Sequence, residues 1–179
     1  MIQTIRLHHV LRETVLTPYR NLVTRPTGAA VRDRIERAMA ESECRTALLD
    51  FSEVELLDLS CADEIVAKLL LISVPRAERY VVLWGLREDQ IEAIDHVLTH
   101  QRLAVAAFCV GAAALDVLGM ADADARAAFA RITACAIDAA TLAAELGWTG
   151  DRAAYALETL AAHRLVRVSG DFFHPLFVA

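Results

Sequence analysis

Two rhythms of apolar and polar residues alternate along the first 120 positions. The runs "IQTIRL" and "YRNLVTR" suit strands, and "PTGAAVRDRIERAMAES" then shifts to a helical period. Val31, Ile35, Ala38 and Met39 fall on one stripe with arginines and acids opposite, as a surface helix requires, and Thr27 or a neighbour is placed to cap it. "RTALLDF" reads as a short strand interior to a sheet. A helix over 60–72 follows, with Ile65, Leu69 and Ile72 on one side and Pro75 as its stop. "RYVVLWG" is a strand, and "REDQIEAIDHVLTH" is a helix facing inward through Ile91, Ile94, Val97 and Leu98. "RLAVAAFCV" and "AAALDVLG" are strand-like, and "DADARAAFARITACA" is helical. The alternation predicts an α/β layer with a substantially parallel sheet, in which the first two strands can form an antiparallel edge.

The pattern changes near Thr133. A short helix over 139–146, a turn with Gly147 and Gly150, a longer helix over 151–163, and two strands joined by Ser-Gly-Asp are expected. Helix, turn, helix and hairpin make a winged helix, with Ala143, Leu146, Ala154, Leu157 and Leu160 as its small core. The helix near Phe129 to Ile137 serves as its first helix and as the junction. The expected division is therefore an α/β domain over 1–125 and a winged-helix-like domain over 126–179. The two parts are expected to pack together, because no low-complexity linker separates them.

Composition sharpens this reading. Apolar residues make up 56% of the chain and aromatics only 6%, so its core must rest on many modest contacts. A net charge of −6 disfavours holding nucleic acid through bulk positive charge. Cys44, Cys61, Cys109 and Cys135 are scattered without metal spacing and read as reduced thiols. The N-terminus lacks the apolar run of a signal peptide, and the most apolar stretch, from Leu103, carries Asp116. A soluble cytoplasmic protein is expected, with no membrane partner.

Candidate chemistry centres on "ALLDFSEVELLDLSCADEIVAKLLL". Ser60-Cys61-Ala62-Asp63 has the S-x-x-D spacing of a capping box, which makes Ser60 a helix N-cap. The other reading is regulatory: Ser60 is a phosphorylation site, and a phosphate beside Asp58, Asp63 and Glu64 would alter how that face meets a partner. Eight acids stand against Arg45 between Glu41 and Glu64, whereas residues 1–37 hold seven arginines against three acids. The segments either neutralise each other or present opposite faces to partners.

Catalytic signals are weak, since no G-x-S-x-G, Walker or G-x-G-x-x-G motif occurs. His96 and His100 share a helix face with Glu92, but H-E-x-x-H is absent and no metal or cofactor is expected. Asp50 and Asp58 read as turn acids rather than a catalytic pair. On the winged helix, Arg152, Tyr155, Arg164 and Arg167 are the DNA-binding candidates, although five acids outnumber three arginines from Thr133 onward.

The same central stretch resembles STAS domains, the fold of bacterial anti-sigma factor antagonists. It resembles still more a STAS-like family of unknown function with an LDF-x-x-V strand followed by an A-D-E helix start. Here these are Leu49, Asp50, Phe51 and Val54, then Ala62, Asp63 and Glu64. The antagonist loop D-S-S-G becomes Asp58-Leu59-Ser60-Cys61, keeping the aspartate and the second serine and losing the first serine and the glycine. The resemblance implies a STAS-like mixed sheet with helices on one side. It also implies a non-enzymatic regulator acting through protein–protein interaction, of the partner-switching type. Asp58, Ser60, Asp63 and Glu64 would form the partner face, and the partner would be a histidine-kinase-like ATPase or an anti-sigma protein. The alternative is a transcriptional regulator contacting DNA through the winged helix, where a homodimer would gather arginines on one face.

Overall fold

The computed structural model describes residues 1–15, 20–76, 78–132 and 135–176. Tyr19, at the start of the second expected strand, lies outside them. So do Thr133 and Ala134 in the expected junction helix and Phe177 at the end of the hairpin.

The main sheet has five strands: β1 (Ile2–Arg6), β3 (Thr46–Asp50), β5 (Tyr80–Leu86), β6 (Ala104–Cys109) and β7 (Asp116–Gly119). They lie in that order, the first four parallel and β7 antiparallel to β6. The antiparallel edge is thus at the end of the sheet, and β1 pairs parallel with β3 instead. The second expected strand shrinks to β2 (Asn21–Leu22), which leaves the main sheet and pairs with β4 (Leu56–Leu57). Between β1 and β2 runs a helix the sequence reading lacked, α1 (Leu7–Val15), which buries Leu7, His8 and Leu11.

Helices α2 (Arg25–Glu41) and α5 (Glu88–His100) connect parallel strands. Between them, residues 59–76 form one helical run: α3 (Leu59–Ala62), two π-helical segments (Asp63–Ala67 and Leu69–Ser73) and α4 (Val74–Arg76). This run passes beyond the expected end at Ile72 and takes in Pro75. The π geometry widens each turn, so Ile65, Val66, Ala67 and Leu69 are all buried while Ile72 faces water.

Strand alternation divides the interior in two. Ala47, Leu49, Val81, Leu83, Val105 and Ala107 point to one face and pack with α1, α2, the 59–76 run and α5. Val82, Ala104, Ala106 and Val117 point to the other face and meet the C-terminal elements. These are α6 (Ala123–Ile132), α7 (Ala139–Leu146), α8 (Gly150–Ala162) and the hairpin β8 (Val166–Ser169) with β9 (Phe172–Pro175). An isolated antiparallel bridge joins Ile137 to Phe173. Helix α6 runs across the 125/126 junction expected from the sequence and contacts both β7 and α8.

The C-terminal core keeps the expected Leu157 and Leu160 and differs at its other positions. Leu142, Ala153, Ala156, Leu157 and Leu160 are buried, while Ala143, Leu146 and Ala154 lie at its margin. Alanine on every side of these helices gives too little contrast to fix the inward face.

Candidate functional site

At the end of β3, the Asp50 carboxylate accepts hydrogen bonds from Ser52 N (2.9 Å) and Ser52 Oγ (2.5 Å), which turns the chain. Arg87 and Gln90, at the start of α5, donate to Val54 O at 2.7 and 2.8 Å, and Arg87 also donates to Glu55 O. The β2–β4 pair carries the loop onward, and Asp58 N donates to Leu22 O at 3.0 Å. The loop is thus tied to neighbouring elements at Phe51, Val54, Glu55 and Asp58.

Asp58 is the N-cap of α3. Its carboxylate accepts from Cys61 N at 2.7 Å and from Thr24 N at 2.9 Å, joining the starts of α3 and α2. This corrects the assignment of Ser60 as the cap: Leu59 is already helical, and Ser60 stands one residue further in, half-buried. The proposed capping-box answer from Asp63 is likewise absent, because that carboxylate accepts from Arg25 at 2.8 Å. Asp50 and Asp58 both accept turn and cap hydrogen bonds.

Beneath the loop, Cys61 is buried and donates its thiol hydrogen to Thr24 O at 3.1 Å. Burial, then the nearby Asp58 carboxylate, pushes this thiol up to about 12, so it stays protonated. Glu64 is also buried, its side chain only 3% exposed, and it accepts from Arg25 (2.7 Å), Arg32 (2.5 Å) and Lys68. Burial pushes its carboxyl up, but the hydrogen bonds from Lys68 and Arg25 outweigh that, and the net direction is below the ordinary value. The assignment of Glu64 to an exposed partner face is therefore corrected: its charge is spent inside the fold. Gly28 makes this possible, since a Cβ there would lie 2.9 Å from Glu64 Cβ and 3.1 Å from Cys61 Cα.

Above the loop a cleft of about 320 Å³ opens between α2, α3 and α5. Arg25, Ser60, Asp63, His96, His100 and Gln101 line it, together with Leu59 and Val97. The sequence placed His96 and His100 on one helix face but had no signal linking that face to Ser60. Arg25 and Gln101 were missed for the same reason, being distant in the chain. No cluster of three metal-ligating side chains occurs among the described residues. Leu56 and Leu59 are half exposed, at 53% and 51%, and Leu59 directly precedes Ser60 in the first turn of α3.

The DNA candidates are arranged differently. The Arg152 guanidinium donates to both Asp124 carboxylate oxygens at 2.7 and 2.8 Å and lies 4.4 Å from the Trp148 ring centre. Arg167 donates to Pro175 O at 3.0 Å, and Arg164 is half-buried beside Ala162 and Leu103. Tyr155 is exposed. Between α8 and the hairpin lies an open hollow bordered by Asp138, Glu158 and Asp171.

Compared with known proteins, the chain matches no family model, no curated protein and no solved structure. Among the described residues no helix is long and apolar enough to cross a membrane.

Proposed function

We propose that this chain is a non-enzymatic regulator that works through protein–protein contact at the α3 end of its sheet. The single observation that carries this reading is the half-exposed pair Leu56 and Leu59 on either side of Asp58, whose bonds to Cys61 N and Thr24 N fix the start of α3, where Ser60 stands. Exposed apolar side chains on a fixed backbone can be buried by a partner at little cost in ordering. The partner face is then Leu56, Leu59, Ser60 and Asp63, with Asp58 holding its shape from beneath.

The strand–loop–helix order at this point, and the helix face opposite the C-terminal unit, support a STAS-like assignment of the partner-switching type. A histidine-kinase-like ATPase or anti-sigma protein is the corresponding partner class. The order α6, bridge, α7, α8 and hairpin supports a winged-helix assignment for the C-terminal unit. Its transcriptional alternative is less well supported, because Arg152 is already paired and the hollow beside α8 is acidic.

Affinity capture with the intact chain, with a Leu56→Asp/Leu59→Asp variant and with Ser60→Asp tests the proposal. Both variants should lose a partner retained by the parent while keeping its circular dichroism. An unchanged set of captured proteins rejects the interface. For the alternative, salt-sensitive retardation of DNA that is lost in Arg152→Ala/Arg164→Ala would replace the first reading by the second.

A further inference from the structure

Edge strands expose backbone hydrogen-bonding groups, and the two edges of the main sheet are treated differently. On β7 the outward groups belong to Val117 and Gly119. Val117 N donates to Asp116 Oδ1 and Gly119 N to Asp95 Oδ1, both at 2.7 Å. The Arg126 guanidinium donates to Val117 O and, at 2.9 Å, to Gly119 O. Side chains from β7, α5 and α6 thus close this edge group by group.

The opposite edge is β1, and the register shows which of its backbone groups remain to pair. On the far side of β3, Tyr80 N donates to Arg45 O at 2.8 Å and Phe51 N to Trp84 O at 2.9 Å. Arg45, Ala47, Leu49 and Phe51 therefore turn their backbone to β5, and the alternate residues, Thr46, Leu48 and Asp50, turn theirs to β1. Thr4 lies level with Leu48, so Gln3 and Ile5 take the bonds from β3. The N–H and C=O groups of Ile2 and Thr4 point out of the sheet. Among the described residues none forms a hydrogen bond with them. Thr4 and Arg6 are exposed, and β1 has neither a proline nor a bulge to obstruct a neighbour.

We infer that this edge pairs with the β1 edge of a second copy of the chain, the two strands antiparallel about a two-fold axis. Ile2 and Thr4 each present one donor and one acceptor, on alternate residues, as two antiparallel strands need in order to exchange bonds in pairs. Ile2 of one copy then meets Thr4 of the other, and the reverse, which uses up both β1 edges in a closed dimer. Charge selects this occupant over an unrelated strand. Antiparallel pairing brings the Arg6 end of one β1 to the Ile2 end of the other. At that end, just before β3, Glu43 is exposed. Among the described residues neither Arg6 nor Glu43 makes an ion pair or side-chain hydrogen bond within its own chain, so each is available to the other copy.

Sedimentation equilibrium of the full chain, over about 1–500 µM, should show a monomer–dimer equilibrium. Thr4→Pro removes one outward N–H and no bond to β3, so it should weaken dimerisation about tenfold or more while circular dichroism is kept. Arg6→Glu and Glu43→Arg each set like charges together and should also weaken it, and combining the two should restore the parent constant. Both side chains are exposed, so these arms stand even if Thr4→Pro fails to fold. A chain that stays monomeric over that range overturns the inference, as does a dimer indifferent to all three changes. A dimer lost in Leu56→Asp/Leu59→Asp but kept in Thr4→Pro and in the charge reversals moves the contact to the α3 face and overturns it too. Protection of the Ile2 and Thr4 N–H groups from hydrogen exchange by another protein, in a chain that is itself monomeric, gives the edge to a foreign strand and rejects the second copy.

Discussion

Replacing Glu64 with glutamine probes the charge cluster that supports the Ser60 loop. The parent carboxylate is buried and receives Arg25, Arg32 and Lys68, so the change leaves three cations around a neutral amide. Stripping one partner from a buried ion pair typically costs about 3–5 kcal/mol. Here the Arg25 side chain is 54% exposed and can turn to water, as Lys68 can in part, which brings the expected loss to about 2–4 kcal/mol. In a chain of this size that corresponds to a fall in melting temperature of about 5–12 °C. Acidity adds a second readout. Because the folded carboxyl lies below the ordinary value of 4.5, its stabilisation is present above that pH and is lost as pH falls through the folded value. Thermal melts followed by circular dichroism should give a constant gap between parent and Glu64→Gln from pH 8 to pH 5. The gap should narrow on further acidification. Melting temperatures that agree within about 1 °C at pH 7, or a gap that widens in acid, would refute the argument.

Asp58→Ala should cost about 2 kcal/mol in denaturant unfolding, since it removes a cap and leaves the N–H groups of Cys61 and Thr24 without their acceptor. Ser60→Ala should stay within about 0.5 kcal/mol of the parent, and the reverse order of the two would restore Ser60 as the cap. Cys61 should resist a thiol reagent in the folded protein while exposed Cys135 reacts, as a timed titration with Ellman's reagent will show. Gly119→Ala should be more damaging than Gly28→Ala: its φ is +88° and its Cβ would stand 2.3 Å from Leu103 O, so a loss of about 3 kcal/mol or more is expected. Gly28→Ala should cost about 1–3 kcal/mol, measured by the same unfolding experiment.

Where neighbouring residues contrast strongly, sequence and structure agree. Ile94, Val97 and Leu98 face inward from α5, β3 and β6 fall within their apolar runs, and β5 exceeds its run by Leu86 alone. The S-x-x-D spacing pointed to Ser60, yet Asp58 is itself a cap former two positions earlier, and spacing cannot choose between overlapping caps. Helix α1 was hidden because "IQTIRLHHVLRETV" changes from strand to helix without a turn residue between Arg6 and Leu7. The π-helical turns depend on hydrogen-bond spacing, which side-chain identity does not encode directly. The cleft eluded the sequence because Arg25, Ser60 and His96 come from three separate elements.

The sheet's second face has a consequence for how the chain can be divided or inherited. Val82, Ala104, Ala106 and Val117 belong to the α/β layer by sequence but share one buried cluster with residues of α6, α7 and α8. A gene fragment ending after β7 would place this apolar stripe in water, and a fragment starting at α6 would lose the wall its own helices rest on. Neither piece is a free-standing cassette, so recombination that exchanges one without the other must rebuild the same stripe. Substitutions in β5 and β6 consequently answer to two interiors at once, with Leu83 facing one and Val82 the other.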